Sequence, residues 1–185
     1  MTDAMTTENT SGTAAEQAPG HAHGNGHENG HGSRLGIRWA RLAPEAYKAM
    51  IALDAAARKG LDPALVELVK IRASQLNRCA FCLDMHIADA RKAGETEQRV
   101  YLLSAWEEAD GFYTEKERAA LALTEAITVL TDGFVPDAVY ERAAAHFEDA
   151  ELAQLIAMIT TINAWNRFGV STRMTPGQAE PNRPA

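Results

Sequence analysis

The chain of 185 residues is long enough for one domain with terminal extensions. Its composition, 46% hydrophobic and 23% charged residues, is that of a globular protein with a substantial core. The net charge of -7 argues against nucleic-acid binding, because no surplus of Lys and Arg exists to neutralise phosphates. No apolar run approaches the roughly 20 residues of a membrane-spanning helix, and no signal-peptide pattern opens the chain. We therefore expect a cytoplasmic protein that does not bind membranes.

The two ends of the chain differ in composition from its middle. Residues 1–36 include the stretch GHAHGNGHENGHG, whose Gly, His and Asn content predicts a disordered tail. The histidines of this stretch are His21, His23, His27 and His31. They could bind a divalent ion only loosely, because rigid ligand geometry is lacking. Residues 175–185 are rich in proline and predict a second disordered tail, which leaves residues 37–174 as the domain.

Between the tails, apolar residues recur at helical spacing, and we find no convincing run with the alternation of a strand. The first predicted helix begins at Pro44 and stops at Gly60. Asp62 followed by Pro63 is a pair typical of an N-cap and a first helical turn. This pair predicts the start of a second helix.

A third helix is predicted to begin near Cys79 and to end at Gly94, since glycine is the residue that most often follows a helix. Thr96 could cap a fourth helix with an apolar inner face. The residues expected on that face are Val100, Tyr101, Leu103 and Trp106.

The second half of the domain opens with the sequence TEKE, from Thr114 to Glu117. It matches a capping box, in which the hydroxyl and the carboxylate each accept from the other residue's backbone N–H. The predicted helix runs to a turn at 132–133. Pro136 then begins a short helix, and Asp149 is predicted to cap a long one. The fold class is therefore all-α, with six to eight helices.

Cys79 and Cys82 are the two cysteines of the chain, and His86 follows one helical turn later. If the third helix begins at Cys79, the three side chains share one face. The helix dipole and free backbone amides at a helix N-terminus favour a thiolate. A nearby imidazole can accept the thiol proton, and the second thiol can close a disulfide on the first. The pattern predicts a dithiol catalyst.

Glu67 is a candidate fourth group. It lies among apolar residues in the preceding helix, and the short connection QLNR is expected to bring the two helices together side by side. A carboxyl group in that setting can keep a raised pKa and exchange a proton with His86. Taken alone, Glu67 is also consistent with a surface charge on an amphipathic helix.

Two other interpretations of the cysteines stay open. Cys79, Cys82, His86 and Glu67 could supply four ligands to a structural zinc ion, although such sites usually combine two CxxC-like or Cys/His pairs. Cysteine also serves as a small buried hydrophobe without reactivity. The CxxC spacing followed by a histidine favours the redox interpretation over both.

This arrangement resembles a known family. Glu67, the segment Cys79-Ala80-Phe81-Cys82 and His86, at these spacings, resemble the signature of AhpD-like alkylhydroperoxidases in the carboxymuconolactone decarboxylase superfamily. The flanking sequences VELVKIRASQLNRCAFCLDMHIADARKAGET and TINAWNRFGV are similar to the family core and its closing helix. The resemblance implies an all-helical fold that forms homotrimers or homohexamers. It also implies peroxide reduction by a cysteine pair without metal, haem or flavin.

By position, the resemblance makes Cys82 the peroxidatic cysteine and Cys79 the resolving cysteine, the one more open to an external reductant. His86 and Glu67 become the proton relay. The reductant that the family suggests is a dithiol, either a lipoyl group or a small redoxin. Phe81 stands between the cysteines where the two-domain members have a histidine, so the chain resembles the shorter, single-motif branch.

Three alternatives to a peroxidase remain. The decarboxylases of the superfamily share the fold but lack the CxxC pair, which favours the redox branch for this chain. A thiol-disulfide oxidoreductase with little peroxide activity would use the same two cysteines. A non-enzymatic protein that binds small molecules or partners would keep the fold alone.

Several other residues near the motif could line a pocket or a subunit contact, or could serve ordinary packing. Those in the closing helix are Asn163, Trp165, Asn166 and Arg167, and for them we expect packing and assembly contacts. Asp84 and Asp89 are expected to be solvated, whereas Met85 is expected in the core or in the lining of a pocket.

Overall fold

A computed structural model describes residues 34–177. The predicted all-α class with six to eight helices is confirmed, since this range contains eight α-helices and no strand. The helices are α1 (Trp39–Leu42), α2 (Pro44–Ala57), α3 (Pro63–Leu76), α4 (Ala80–Lys92), α5 (Glu97–Leu102), α6 (Glu115–Thr128), α7 (Asp137–Ala144) and α8 (Asp149–Thr172). Short 3-10 helices cover Gly36–Arg38 and Leu103–Ala105. The histidines of the predicted N-terminal tail lie outside the described residues.

Helix starts follow the capping signals of the sequence. The Asp62 carboxylate accepts a hydrogen bond from the Leu65 backbone N–H at 3.0 Å, and Pro63 is the first residue of α3. The Thr114–Glu117 capping box at the start of α6 is present in both directions. These bonds satisfy backbone donors that a helix N-terminus otherwise leaves free. None of the helices within 34–177 has the length and apolar character needed to cross a membrane.

Two local predictions were wrong. The Tyr101 side chain is 70% exposed and its hydroxyl donates to Glu97, whereas the other three residues of the predicted inner face are buried. α5 has only six residues before the chain tightens into a 3-10 helix, so one helical period does not describe the segment. The N-cap of α8 is Glu148 rather than Asp149, which is the first helical residue.

α3 lies at the centre of the fold. Every residue from Leu65 to Ser74 except Arg72 is buried, because α3 packs against α4, α6 and α8. An apolar cluster with α6, α7 and α8 covers one side of α3. A second cluster, formed with α4 and residues 103–113, covers the other side. A helix buried on all sides is hydrophobic around most of its circumference, so any charge that it carries lies inside the protein.

A hydrogen-bonded asparagine group joins the end of α3 to α8. Asn77 Nδ2 donates to Asn163 Oδ1 at 2.8 Å and to Asn166 Oδ1 at 2.9 Å. Asn166 Nδ2 donates in turn to Ser74 Oγ at 2.9 Å. Asn163 and Asn166 therefore have the packing role expected for them. The group fixes the point at which the chain leaves α3 for the cysteines.

Trp39 of α1 and Tyr47 of α2 pack on the C-terminal end of α8. The Trp39 ring stacks on Phe168 with centroids 4.1 Å apart, and Tyr47 and Trp165 complete the aromatic cluster. The short helix α1, which carries Trp39, was not predicted. Four residues are too few to give a periodic signal. This packing places the N-terminal segment beside the cavity that Trp165 lines.

Candidate active site

The turn between α3 and α4 positions Cys79. Arg78 adopts the left-handed conformation with φ 55°. The Cys79 N–H donates to Ser74 O at 3.0 Å, and the Arg78 N–H donates to Gln75 O at 3.2 Å. This pair of bonds is a Schellman motif, which ends a helix and reverses the chain. As a result α4 begins immediately after the turn, and Cys79 is its N-cap, close to the predicted position.

The two cysteines form a disulfide at the N-terminus of α4, with Cα atoms 5.4 Å apart. Cys79 Sγ also accepts a hydrogen bond from the Cys82 backbone N–H at 3.4 Å. Both residues are only 2% exposed, and Cys82 lines the adjacent cavity. The expectation that Cys79 is the more open cysteine was therefore wrong, because α8 and Met174 pack over this end of the helix.

Gly169 of α8 packs against the disulfide. A Cβ atom at this position would stand 2.8 Å from Cys79 Sγ and 3.4 Å from Cys82 Sγ. The first distance is too short for any residue with a side chain unless the sulfur moves. The sequence signal was a single glycine inside a long helical pattern, which often marks close packing.

Glu67 and His86 form a buried pair between α3 and α4. His86 Nδ1 lies 2.9 Å from Glu67 Oε2. Burial raises the pKa of the Glu67 carboxyl group, but the hydrogen bond and charge of His86, together with the charge of Lys70, outweigh burial and hold this pKa below its ordinary value. The expected raised pKa was wrong, since the setting of Glu67 is charged rather than apolar. The ionised carboxylate accepts the Nδ1–H of His86.

Lys70 and Asp54 place two further charges near Glu67 that were not predicted from the sequence. Lys70 Nζ lies 3.8 Å from Glu67 Oε1 and 3.4 Å from Asp54 Oδ1, and Asp54 also pairs with Arg58. The sequence signal for Lys70 was a lysine inside the apolar run of α3, three residues after Glu67. Asp54 comes from α2, so only the packing of two helices reveals its contact with Lys70.

A cavity of about 800 Å³ opens onto these groups. Four elements line it: α2, α3, α4 and the end of the chain from Trp165 to Met174. Met85 is part of the lining, as expected. Asp89, which was expected to be solvated, also lines the cavity and is half-buried. Asp84 is exposed, and its carboxylate accepts the Gly177 N–H at 2.8 Å.

Three side chains of the cavity could approach a metal ion. Donor atoms of Glu67, His86 and Asp89 lie within 4.8 Å of one another. A cation between them would meet the ammonium group of Lys70, 3.8 Å from Glu67. The cysteines are joined to each other and offer no thiolate, which a zinc–cysteine site requires. The four-ligand zinc interpretation does not fit this oxidised form.

Comparison with known proteins agrees with this geometry. Residues 44–126 match the sequence model of the carboxymuconolactone decarboxylase family. The uncharacterized protein YdfG of Bacillus subtilis (strain 168) is 43% identical over 136 residues, which are 73% of this chain and 92% of YdfG. The chain belongs to the carboxymuconolactone decarboxylase family. The disulfide of Cys79 and Cys82 fits the single-motif, AhpD-like branch of this family.

Solved structures show the same fold. A crystal structure of an Agrobacterium tumefaciens protein of unknown function, suggested to be the antioxidant defence protein AhpD, is 39% identical with a TM-score of 0.73. The similarity covers 76% of this chain and 97% of that one. The debrominase Bmp8 has a TM-score of 0.67 at 20% identity, over 80% of this chain and 79% of its own. Its similarity extends to the fold alone.

Proposed function

We propose that this protein is a thiol-dependent peroxidase that reduces organic peroxides or hydrogen peroxide through Cys79 and Cys82, with Glu67 and His86 as the proton relay. The observation that carries the proposal is the pairing of a CxxC disulfide at a helix N-terminus with a buried carboxylate–imidazole pair on the same cavity. A base beside a nucleophilic thiol is the arrangement that activates cysteine in enzymes.

The reaction begins with the reduced dithiol. His86 takes the proton of the Cys82 thiol, and the thiolate attacks the O–O bond of the peroxide. One oxygen stays on sulfur as a sulfenic acid, and the other leaves as an alcohol or water after taking a proton from His86. The Cys79 thiol then attacks the sulfenic acid, which releases water and forms the disulfide. The peroxide gains two electrons, and the two thiols lose them.

An external dithiol closes the cycle by thiol–disulfide exchange. The two sulfurs are buried beside a cavity of about 800 Å³, which favours a slender dithiol such as a lipoyl group over a folded redoxin. The disulfide of a protein substrate would also be too bulky to reach the buried sulfurs. The burial therefore also favours a peroxidase over a general disulfide oxidoreductase. We further propose a cytoplasmic homotrimer or homohexamer.

The test is the intact mass of the reduced protein after one equivalent of cumene hydroperoxide, with and without alkylation of thiols. Wild type is expected to lose two hydrogens. Cys79→Ser is expected to gain one oxygen at Cys82, because its sulfenic acid has no resolving thiol. Cys82→Ser is the matched control and is expected to stay unmodified and fully alkylated.

The same experiment, repeated with a small disulfide in place of the peroxide, separates the remaining alternatives. A disulfide oxidoreductase with little peroxide activity would leave both cysteines reduced after cumene hydroperoxide, yet would exchange with a small disulfide. A non-enzymatic protein that only binds small molecules or partners would do neither. Oxygen addition to Cys79 instead of Cys82 would reverse the assignment of the two cysteines.

A further inference from the structure

Lys70 is a buried, charged side chain of the cavity that has no role in the proposed peroxidase reaction. It is 1% exposed and belongs to the buried helix α3. An ammonium group so far from water is stable only when opposite charges neutralise it. Lys70 has two such partners, Asp54 at 3.4 Å and Glu67 at 3.8 Å. A lysine in this setting acts on the ionisation of its neighbours.

Glu67 connects Lys70 to His86 through its two oxygens. Oε1 faces the Lys70 ammonium at 3.8 Å, and Oε2 lies 2.9 Å from His86 Nδ1. While Glu67 is ionised it can only accept, so Nδ1 carries the shared hydrogen. A neutral imidazole with hydrogen on Nδ1 has an unprotonated Nε2, which can accept a proton. The atom available for proton transfer is therefore set by the charge on Glu67.

We propose that Lys70 is a positioning residue that keeps Nε2 of His86 free of a proton at neutral pH by holding the Glu67–His86 pair to a single hydrogen. Without the Lys70 cation the pair would retain an additional proton to higher pH. That proton would either make His86 an imidazolium or place a hydrogen on Nε2 while Glu67 is a carboxylic acid. Both forms protonate Nε2. Only the acceptance of the Cys82 proton by the unprotonated Nε2 depends on the proposed function.

The charges around the pair support a decisive role for this one cation. The charged residues that line the cavity, besides His86, are Asp54 on α2 and Arg58 just after it, Glu67 and Lys70 on α3, and Asp89 and Lys92 on α4. Three carboxylates thus face three cations. α8 contributes Trp165 and the segment after it Met174, neither of which titrates. Removal of Lys70 leaves one buried negative charge in excess, and excess negative charge favours proton uptake.

The test is the titration of His86 Nε2 by NMR of protein labelled with 15N-histidine, in the disulfide form and without peroxide. His86→Gln identifies the signal. Wild type is expected to have an unprotonated Nε2 at pH 7. In Lys70→Met the pH at which Nε2 loses its proton is expected to rise by about one unit or more, the effect of a charge within 4–6 Å. Lys70→Arg, which keeps the cation, is expected to titrate close to wild type.

Asp54→Asn tests the same coupling with the opposite sign. It removes a negative charge that faces Lys70, so the Nε2 titration is expected to move to lower pH. This variant decides the question by itself if Lys70→Met does not fold. Lys92→Met is the matched control, because Lys92 is 79% exposed beside Asp89. Its shift should stay under about 0.3 unit, since solvent screens exposed charges.

A protonated Nε2 in wild type at pH 7 would overturn the proposal. So would unchanged titrations in Lys70→Met and Asp54→Asn, or shifts of both in the same direction. These results are independent of the proposed peroxidase, because the disulfide form has no free thiol and no peroxide is added. An inactive protein with the expected NMR titrations would retain the Lys70 assignment and lose the proposed function.

Discussion

The backbone of Gly169 lies so close to Cys79 that a Cβ atom at position 169 would stand 2.8 Å from Cys79 Sγ. α8 therefore touches the disulfide through its main chain. α8 ends at Thr172, and the next residue, Arg173, adopts the left-handed conformation with φ 56°. The Met174 N–H then donates to Gly169 O at 3.0 Å. Gly169 thus contacts the sulfurs on one side, and its carbonyl oxygen accepts a hydrogen bond from Met174, which follows α8.

Gly169→Ala is expected to make the disulfide easier to reduce. Two free thiols can change rotamer to escape the new methyl group, whereas the disulfide holds both sulfurs in place. The overpacking should destabilise the oxidised protein by about 1–3 kcal/mol. The measurement is the equilibrium between dithiol and disulfide against a glutathione buffer. Val170→Ala, at a position 45% exposed, is the control. Identical equilibria in the two variants would show that the close contact has no effect.

Glu67→Gln is expected to raise the apparent pKa of the Cys82 thiol toward the ordinary value of about 8.5. The carboxylate stabilises the protonated imidazole, so without it His86 is a weaker acceptor of the thiol proton. The measurement is the rate of alkylation of Cys82 by iodoacetamide against pH in reduced Cys79→Ser protein. Glu97→Gln, an exposed carboxylate paired with Arg91, is the control. A profile equal to that of the control would remove Glu67 from the relay.

Asn166→Ala is expected to destabilise the fold by about 1–3 kcal/mol, the usual effect of leaving buried partners unsatisfied. Asn166 is fully buried and bonds both Ser74 and Asn77. Urea unfolding gives the free energy directly. Thr160→Ala removes an exposed hydroxyl from the same helix and is expected to change stability by less than about 0.5 kcal/mol. Equal losses in both variants would contradict a special role for the asparagine group.

The protein is expected to lose stability below about pH 4.5 because of Asp54 and Glu67. Burial raises the pKa of each carboxyl group, but the nearby cations outweigh burial and hold both below their ordinary values of 3.8 and 4.5. A group with a lowered folded-state pKa contributes stability that is complete above its unfolded pKa and is lost as the pH falls through the folded value.

The measurement is the free energy of unfolding by urea from pH 7 to pH 3. Asp54→Asn is expected to flatten this dependence, since one of the two titrating carboxyl groups is gone. Glu115→Gln, which changes a largely exposed carboxylate, is the matched control and should retain the wild-type slope. Equal slopes in the two variants would mean that other groups cause the acid loss.

Local signals predicted the starts of helices well. Three helices begin at the predicted residue or within one residue of it. The signals were Pro63 after Asp62, the Thr114–Glu117 capping box, and Cys79 at the N-terminus of α4. Each of these signals acts over three or four residues, so the chain needs no tertiary contact to express it. Tyr101 was misplaced because α5 is too short to define a face, and its exposure is decided by what packs against the following 3-10 helix.

The candidate site was predictable where its residues lie on two adjacent helices. The spacing of Glu67, Cys79, Cys82 and His86 implied proximity once α3 and α4 were known to be neighbours. Asp54 could not be placed, because α2 is brought near α3 by α8, against which both helices pack, and no short pattern encodes this arrangement. The predicted direction of the Glu67 pKa shift was wrong for a different reason: Lys70 and His86, rather than the apolar residues next to Glu67 in the sequence, face its carboxylate.

Glu67 and Lys70 are buried and Asp54 is half-buried, so keeping these charges away from water costs stability. Apolar residues of similar volume often replace a buried set of charges with no loss of stability, or with a gain. A random library at these three positions, sorted only for resistance to heat, should therefore become enriched in uncharged combinations such as Leu and Met. The same library sorted for thiol reactivity should return the charges. Divergence between the two selections would show that the charges at these three positions serve the reaction rather than the fold.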